Sequence, residues 1–185
     1  SFTSSGTDGA LNWSAGIVVN AGTETFKFTD VSTTSKTINF KGKTINNLWL
    51  AGRVYAITDD ITCNGYFKCS YQTNAWTMTV TQGKTITVAG LITMSGVNTK
   101  LISLISDSAG NHFHLSHTGE DVVSCNYLSV KDSYASGAVF VARSTCTNVS
   151  GNDGWTFMPQ TGNTYRSGAV KGKAIANATR NAVVE

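Results

Sequence analysis

Charge is scarce in this sequence. Lysine, arginine, aspartate and glutamate make up 14% of its 185 residues, where soluble domains usually carry roughly 25%. Thr, Ser, Asn and Gly fill the deficit, so the surface is polar without being ionic. Disorder pairs low hydrophobicity with high net charge. Here hydrophobic residues reach 41% and the net charge is only +3. No Lys/Arg cluster is dense enough to neutralise a run of phosphates, so nucleic acid is not expected as a partner. Long apolar runs are also missing, and nothing approaches the ~18 residues of a membrane span. No signal peptide is recognisable. A chain opening at Ser1 reads as processed, as a fragment, or as one that has lost its first Met.

Cysteine is sparse, at Cys63, Cys69, Cys125 and Cys146. None has the C-x-x-C spacing of a zinc site. An even count permits disulfides, but buried free thiols are the reading preferred here. Helical periodicity is absent before Gly162. Proline occurs once, at Pro159.

What is present is a succession of short strand-like runs as far as Phe157. They include Ile17–Val19, Thr25–Phe28, Thr37–Phe40, Leu48–Leu50, Val54–Ile57, Thr77–Val80, Thr85–Val88, Leu101–Ile105, Tyr127–Val130 and Val139–Ala142. Turn signals such as Lys41-Gly42, Asn64-Gly65, Gln82-Gly83 and Ser136-Gly137 separate them. Many short strands at near-regular spacing mean a sandwich, a barrel or a solenoid.

Two echoes favour the solenoid. Gly42-Lys43-Thr44-Ile45 recurs as Gly83-Lys84-Thr85-Ile86, as two coils of about 20 residues would place it. Cys125 and Cys146, like Asn126 and Asn148, have the spacing of neighbouring rungs. In Trp76-Thr77-Met78-Thr79-Val80-Thr81 the apolar side chains share one face and the threonines the other. The expected fold is all-β: a short right-handed parallel β-helix. Residues 1–16 are expected to form an N-terminal arm or cap, 17–159 the solenoid, and 160–185 a tail. The tail has patchy helical spacing with basic residues between its apolar ones, and is read either as untied or as an arm ordering on a neighbouring subunit. Its candidate assembly contacts are Tyr165, Arg166, Lys171, Lys173 and Arg180.

The block Val122-Val123-Ser124-Cys125-Asn126-Tyr127-Leu128-Ser129-Val130-Lys131-Asp132-Ser133, with Asn148-Val149-Ser150-Gly151-Asn152-Asp153-Gly154-Trp155-Thr156-Phe157, carries a resemblance. It is similar to the closing segment of Thr/Gly-rich β-solenoid proteins from bacteriophage structural and tail-fibre genes and from bacterial surface proteins. The likeness covers residues 76–157. It departs at Asn126, where that family often has Asp, which leaves no acid there for a metal or turn role. The resemblance implies a structural or adhesive role without an activity. It makes Trp155 a domain-closing cap over the last rung.

Candidate chemistry fails mostly on spacing. Gly42-Lys43-Thr44 and Gly83-Lys84-Thr85 end like a phosphate-binding loop. That loop needs a Gly where Thr37 and Met78 stand. His112 and His114 share a strand face, with His117 close by, but no acid is placed to orient the rings as metal ligands. Asp59-Asp60 and Glu120-Asp121 are adjacent acids, and consecutive strand residues point to opposite faces. Acids from different rungs could still meet, as in polysaccharide-degrading β-helices. Thr-x-Thr ranks suggest ice binding, but Tyr55, Phe67, Lys68 and Leu104 are expected to break the array. No Gly-x-Ser-x-Gly elbow exists.

These readings converge on a non-enzymatic structural protein of a virion, a capsid decoration, fibre or tail component. No catalytic residue, metal or cofactor is assigned. The expected partners are further copies of itself, with a trimer favoured, and other virion proteins. A host-surface glycan is a further partner, and the alternative is a cell-surface or filament adhesin binding glycans. A polysaccharide-degrading enzyme ranks third.

Overall fold

The computed structural model describes residues 2–4, 11–12, 22–70, 73–119 and 121–159. No helix occurs among them. The strands are β1 Phe2–Ser4, β2 Leu11–Asn12, β3 Thr25–Phe28, β4 Lys36–Asn39, β5 Thr44–Ile45, β6 Asn47–Leu50, β7 Val54–Ile57, β8 Ile61–Cys63, β9 Phe67–Cys69 and β10 Trp76–Val80. They continue as β11 Thr85–Val88, β12 Ile92–Met94, β13 Ile102–Ser106, β14 Phe113–His117, β15 Val122–Cys125, β16 Leu128–Lys131, β17 Ser133–Ser136, β18 Val139–Ala142, β19 Thr147–Ser150 and β20 Trp155–Phe157.

Every ladder between these strands is parallel, and each strand pairs with the third one along for most of the chain. That is the pairing rule of a β-solenoid with three strands per coil. Face 1 runs β1-β3-β6-β9-β12, and a parallel Ser95–Asn126 bridge carries it on to β15-β18-β20. Face 2 runs β2-β4-β7-β10-β13-β16-β19, and face 3 runs β5-β8-β11-β14-β17. The segment 1–16, expected as an arm or cap, supplies β1 and β2, which pair with β3 and β4. The run Ile17–Val19 and the tail 160–185, with Tyr165, Arg166, Lys171, Lys173 and Arg180, lie outside the described residues.

Alternation decides which side chains enter the coil. In β10, Trp76, Met78 and Val80 are buried while Thr77 and Thr79 are half-exposed. The same parity buries Ile38, Ile57, Leu104 and Val130 on face 2, and Leu48, Leu50, Phe67 and Cys69 on face 1. Stacked in register, they form one continuous interior. Each fully buried Leu, Ile, Val or Phe contributes about 1.5–3 kcal/mol. Phe28, Tyr55 and Trp76 form a run of edge-on rings, with centroids 6.2 and 5.8 Å apart.

Several polar groups inside the coil are tied to backbone or to each other. Lys36 points inward and pairs with Asp30 at 3.3 Å, the two side chains only 4% and 8% exposed. Asn47 links three rungs: its amide donates to the Glu24 carbonyl and the Thr25 hydroxyl, and its oxygen accepts from the Tyr66 N–H. Asn152 ties two rungs near the C-terminal end, donating to the Val130 carbonyl and accepting from Ser133 N–H.

The corners turn on backbone geometry. Lys41 and Gly42 both have positive φ, 54° and 67°, the pattern of a type I′ turn. At Gly52 a Cβ would collide with the Asp30 carbonyl oxygen and the Tyr55 hydroxyl. Coil length varies widely. The chain between Ser95 and its partner Asn126 is about twice as long as the chain between Phe140 and its partner Trp155.

The echoes resolve unequally. Thr44–Ile45 and Thr85–Val88 do lie two coils apart on face 3, but Thr44 stacks through Thr62 onto Thr87 and not onto Thr85. Cys125 and Cys146 meet, since the Cys146 thiol donates to the Cys125 carbonyl at 3.4 Å. Asn126 and Asn148 do not stack: Asn126 bridges to Ser95 and Asn148 pairs with Val130.

Candidate functional site

The outer surface of face 1 carries the densest group of unusual side chains. Parity turns Lys27 of β3, Trp49 of β6, Lys68 of β9 and Thr93 of β12 outward, and the register places them in one row. Trp49 sits between two lysines. Lys27 Nζ lies 3.9 Å from the ring centroid and Lys68 Nζ 4.3 Å. The indole N–H donates to Ser70 Oγ at 2.9 Å, which fixes the ring's rotation. Beside the row, the Tyr66 hydroxyl meets Thr25 Oγ1 at 3.3 Å. Trp49, Tyr66, Lys68, Leu91 and Thr93 together line a groove of about 300 Å³. Each ammonium–indole contact contributes about 0.5–1 kcal/mol at an exposed site. Sequence reasoning missed this row. Its signal was present as three strands whose outward residues are Lys, Trp and Lys, but only the coil register brings them together.

The same edge of face 1 is apolar further along. Leu91 immediately precedes β12, Val122 begins β15 and Val139 begins β18. Their exposures are 68%, 61% and 54%. Val122 and Val139 pair directly.

Face 3 separates the three histidines. His112 and His114 lie at an open depression of about 450 Å³ with Gln82, Gly83 and Asn111. His114 packs on Tyr134 with ring centroids 5.3 Å apart, and His112 Nε2 lies 3.8 Å from Asp153 Oδ2. His117, on the same strand as His114, has the opposite parity and is buried. Its Nδ1 accepts from the Gly119 N–H at 2.9 Å, which leaves Nε2–H to donate to the Gly90 carbonyl at 2.7 Å. Its place beside the other two rings, suggested by sequence proximity, is therefore corrected by strand parity. Among the described residues no three His, Cys, Asp or Glu side chains are grouped to hold a metal.

Asp59 and Asp60 serve the coil stacking. Both reach Lys84 Nζ, at 3.2 and 3.4 Å, and Asp60 Oδ1 accepts the Thr85 N–H. Burial alone would raise the Asp59 carboxyl, but the Asp60 amide and Lys84 outweigh it and hold the group below its ordinary value. The Gly-Lys-Thr segments thus stand at coil corners, and Lys84 is committed to acids of the rung below. Glu120 lies outside the described residues.

The four cysteines are reduced and interior. Burial pushes the Cys63 and Cys125 thiols up to about 12, raises Cys69 well above its ordinary value and raises Cys146. Trp155 is half-buried on β20. Its ring packs on Phe140 at 5.3 Å, and its N–H donates to Ser133 Oγ at 3.1 Å.

Thr rows exist, and of the four residues expected to interrupt them only Lys68 faces outward, beside Thr93 on face 1. Tyr55, Phe67 and Leu104 point into the coil and break nothing outside. On face 2 the Thr77 row stops at Val54 on one side but runs on through Ser103, Ser129 and Thr147 on the other, while the Thr79 row is interrupted by Ala56 and Ile105. Face 3 holds one unbroken hydroxyl row, Thr44–Thr62–Thr87–Ser116–Ser136. The row beside it contains Thr85, His114 and Tyr134, so no second hydroxyl rank accompanies it.

Comparison of the chain with protein-family models, with curated proteins and with solved structures found no match.

Proposed function

We propose that this chain is a non-enzymatic structural protein of a virion, a decoration, fibre or tail component, assembling through its outer faces with further copies of itself. The supporting observation is the exposed apolar edge of Leu91, Val122 and Val139. Single exposed apolar residues are ordinary, but a contiguous group at consecutive strand starts marks a surface that a neighbour covers. A second copy suits it because a net charge of +3 gives little self-repulsion to overcome. Stiff backbone ladders then supply a rod or plate whose stability depends little on surface ion pairs. Light scattering at increasing protein concentration tests the assembly. The expected result is a closed oligomer, a trimer being favoured, that Val122→Lys with Val139→Lys dissociates. Co-purification with particles at fixed stoichiometry tests the virion role. A monomer at every concentration, absent from particles, would overturn the proposal.

A second reading, a glycan-binding adhesin, is favoured by the face 1 groove, where Trp49, Tyr66 and Leu91 offer apolar walls beside Lys68 and Thr93. Ligand sites combine such walls with a few polar groups. Binding of the isolated protein to a glycan panel tests it, and no binding to any glycan would remove it.

A further inference from the structure

We propose that the Lys27–Trp49–Lys68 cluster and its groove form a site for an acidic sugar, one whose ring carries a carboxylate. The proposal rests on the glycan-binding reading and adds the class of ligand.

Among the described residues three lysines pair with acids, and of the others Lys27 and Lys68 stand over one aromatic ring. Lys36, Lys84 and Lys131 each have a carboxylate within 3.9 Å. Lys27 and Lys68 share one indole instead and have no acid within ion-pair distance among the described residues. In a chain with so few charges, two half-buried cations on one ring stand out. Their ammonium groups lie 3.9 and 4.3 Å from the shared centroid, so they are at most about 8 Å apart. The Debye length at physiological salt is about 8 Å, so dissolved ions screen their repulsion incompletely. An anion seated beside the ring edge relieves it, and each Lys keeps N–H donors free for a charge-assisted hydrogen bond.

The groove narrows the choice of anion. Its volume of about 300 Å³ stands at the lower end for ligand pockets, which suits a sugar ring better than an extended polymer cross-section. Tyr66 and Leu91 meet the C–H surfaces of such a ring, Thr93 offers a hydroxyl, and Trp49 borders the groove. Lys27 and Lys68 flank Trp49 from the strands on either side. The indole is therefore no open platform on which a neutral sugar or a base could stack, and charge becomes the main handle. Two cations cannot track a run of phosphates.

The test compares binding of the full chain to oligomers of polygalacturonate and of polysialic acid, their carboxyl-reduced neutral counterparts, and a single-stranded deoxythymidine oligomer. Binding is also measured for Lys27→Met with Lys68→Met, whose folding is verified by urea unfolding. The expected result is binding of a carboxylated oligomer that weakens at least about tenfold on carboxyl reduction, and likewise in the double variant. Affinity should fall as salt rises. The ligand comparison stands even where the variant fails to fold. Equal affinity for the acidic and reduced oligomers overturns the acidic-sugar site but leaves glycan binding intact. So does acidic-oligomer binding that a folded double variant retains. Binding to no oligosaccharide, or stronger binding to the deoxythymidine oligomer, overturns both.

Discussion

Replacing Lys36 by Met should destabilise the protein far more than the loss of a surface charge. Lys36 and Asp30 lie inside the coil, 4% and 8% exposed and 3.3 Å apart. Removing the ammonium leaves a buried carboxylate without its partner, which costs about 3–5 kcal/mol. The double variant Asp30→Asn with Lys36→Met should recover much of that loss. It removes both charges, and Asn keeps an acceptor for the Ser32 N–H that Asp30 Oδ1 receives at 2.7 Å. The effect should also depend on pH. Burial alone would raise the Asp30 carboxyl, but the Ser32 amide and hydroxyl and then Lys36 outweigh it, so the folded value is depressed. A depressed carboxyl contributes stability above its unfolded value of about 3.9, and that contribution is lost as pH falls through the folded value. The gap between wild type and Lys36→Met should therefore narrow as pH is lowered from 7 towards 2. Urea unfolding followed by fluorescence at each pH measures it. A cost below about 1 kcal/mol at pH 7, the range of exposed pairs, would refute the reasoning, as would a gap unchanged by pH.

Other expectations follow from the interior. Gly52→Ala forces a methyl against the Asp30 carbonyl and the Tyr55 hydroxyl and should cost about 1–3 kcal/mol in urea unfolding. A thiol reagent at pH 8 should find no rapidly reacting cysteine in the native protein and four in urea, since all four are buried and unbridged; Cys63 and Cys125 are pushed up to about 12. His117→Ala removes the partners of the Gly90 carbonyl and the Gly119 N–H and should cost about 2 kcal/mol or more.

The fold was legible because one signal dominated. Alternation in Trp76–Val80 and Thr85–Val88 announced strands with one face inside, and the corner glycines announced their ends. Strands as short as β5, β8 and β9 cannot show alternation, so only their stacking reveals them. Inward polar residues were illegible for a related reason. Nothing in its own strand marks Lys36 as inward until the turn after β3 supplies Asp30, nor His117 until the neighbouring rung supplies the Gly90 carbonyl. The face 1 row was hidden because Lys27, Trp49 and Lys68 follow one another at unequal intervals, set by the loops between their strands.

That inequality bears on what the surface can do. A solenoid with equal coils repeats one side chain at one position, and its faces become lattices. Here the longest coil is about twice the shortest, and each loop resets which residue meets which. The interior tolerates this because any apolar side chain of suitable size fills the coil. The outside does not average in the same way. Thr77 meets Val54 and Ser103, while Trp49 meets Lys27 and Lys68. Recognition of a regular lattice needs several ranks side by side, whereas the hydroxyl rows Thr44–Thr62–Thr87–Ser116–Ser136 and Thr77–Ser103–Ser129–Thr147 stand singly on different faces. The irregular coils therefore favour local contacts over periodic ones, such as the exposed apolar edge of Leu91, Val122 and Val139 and the groove beside Trp49 and Lys68.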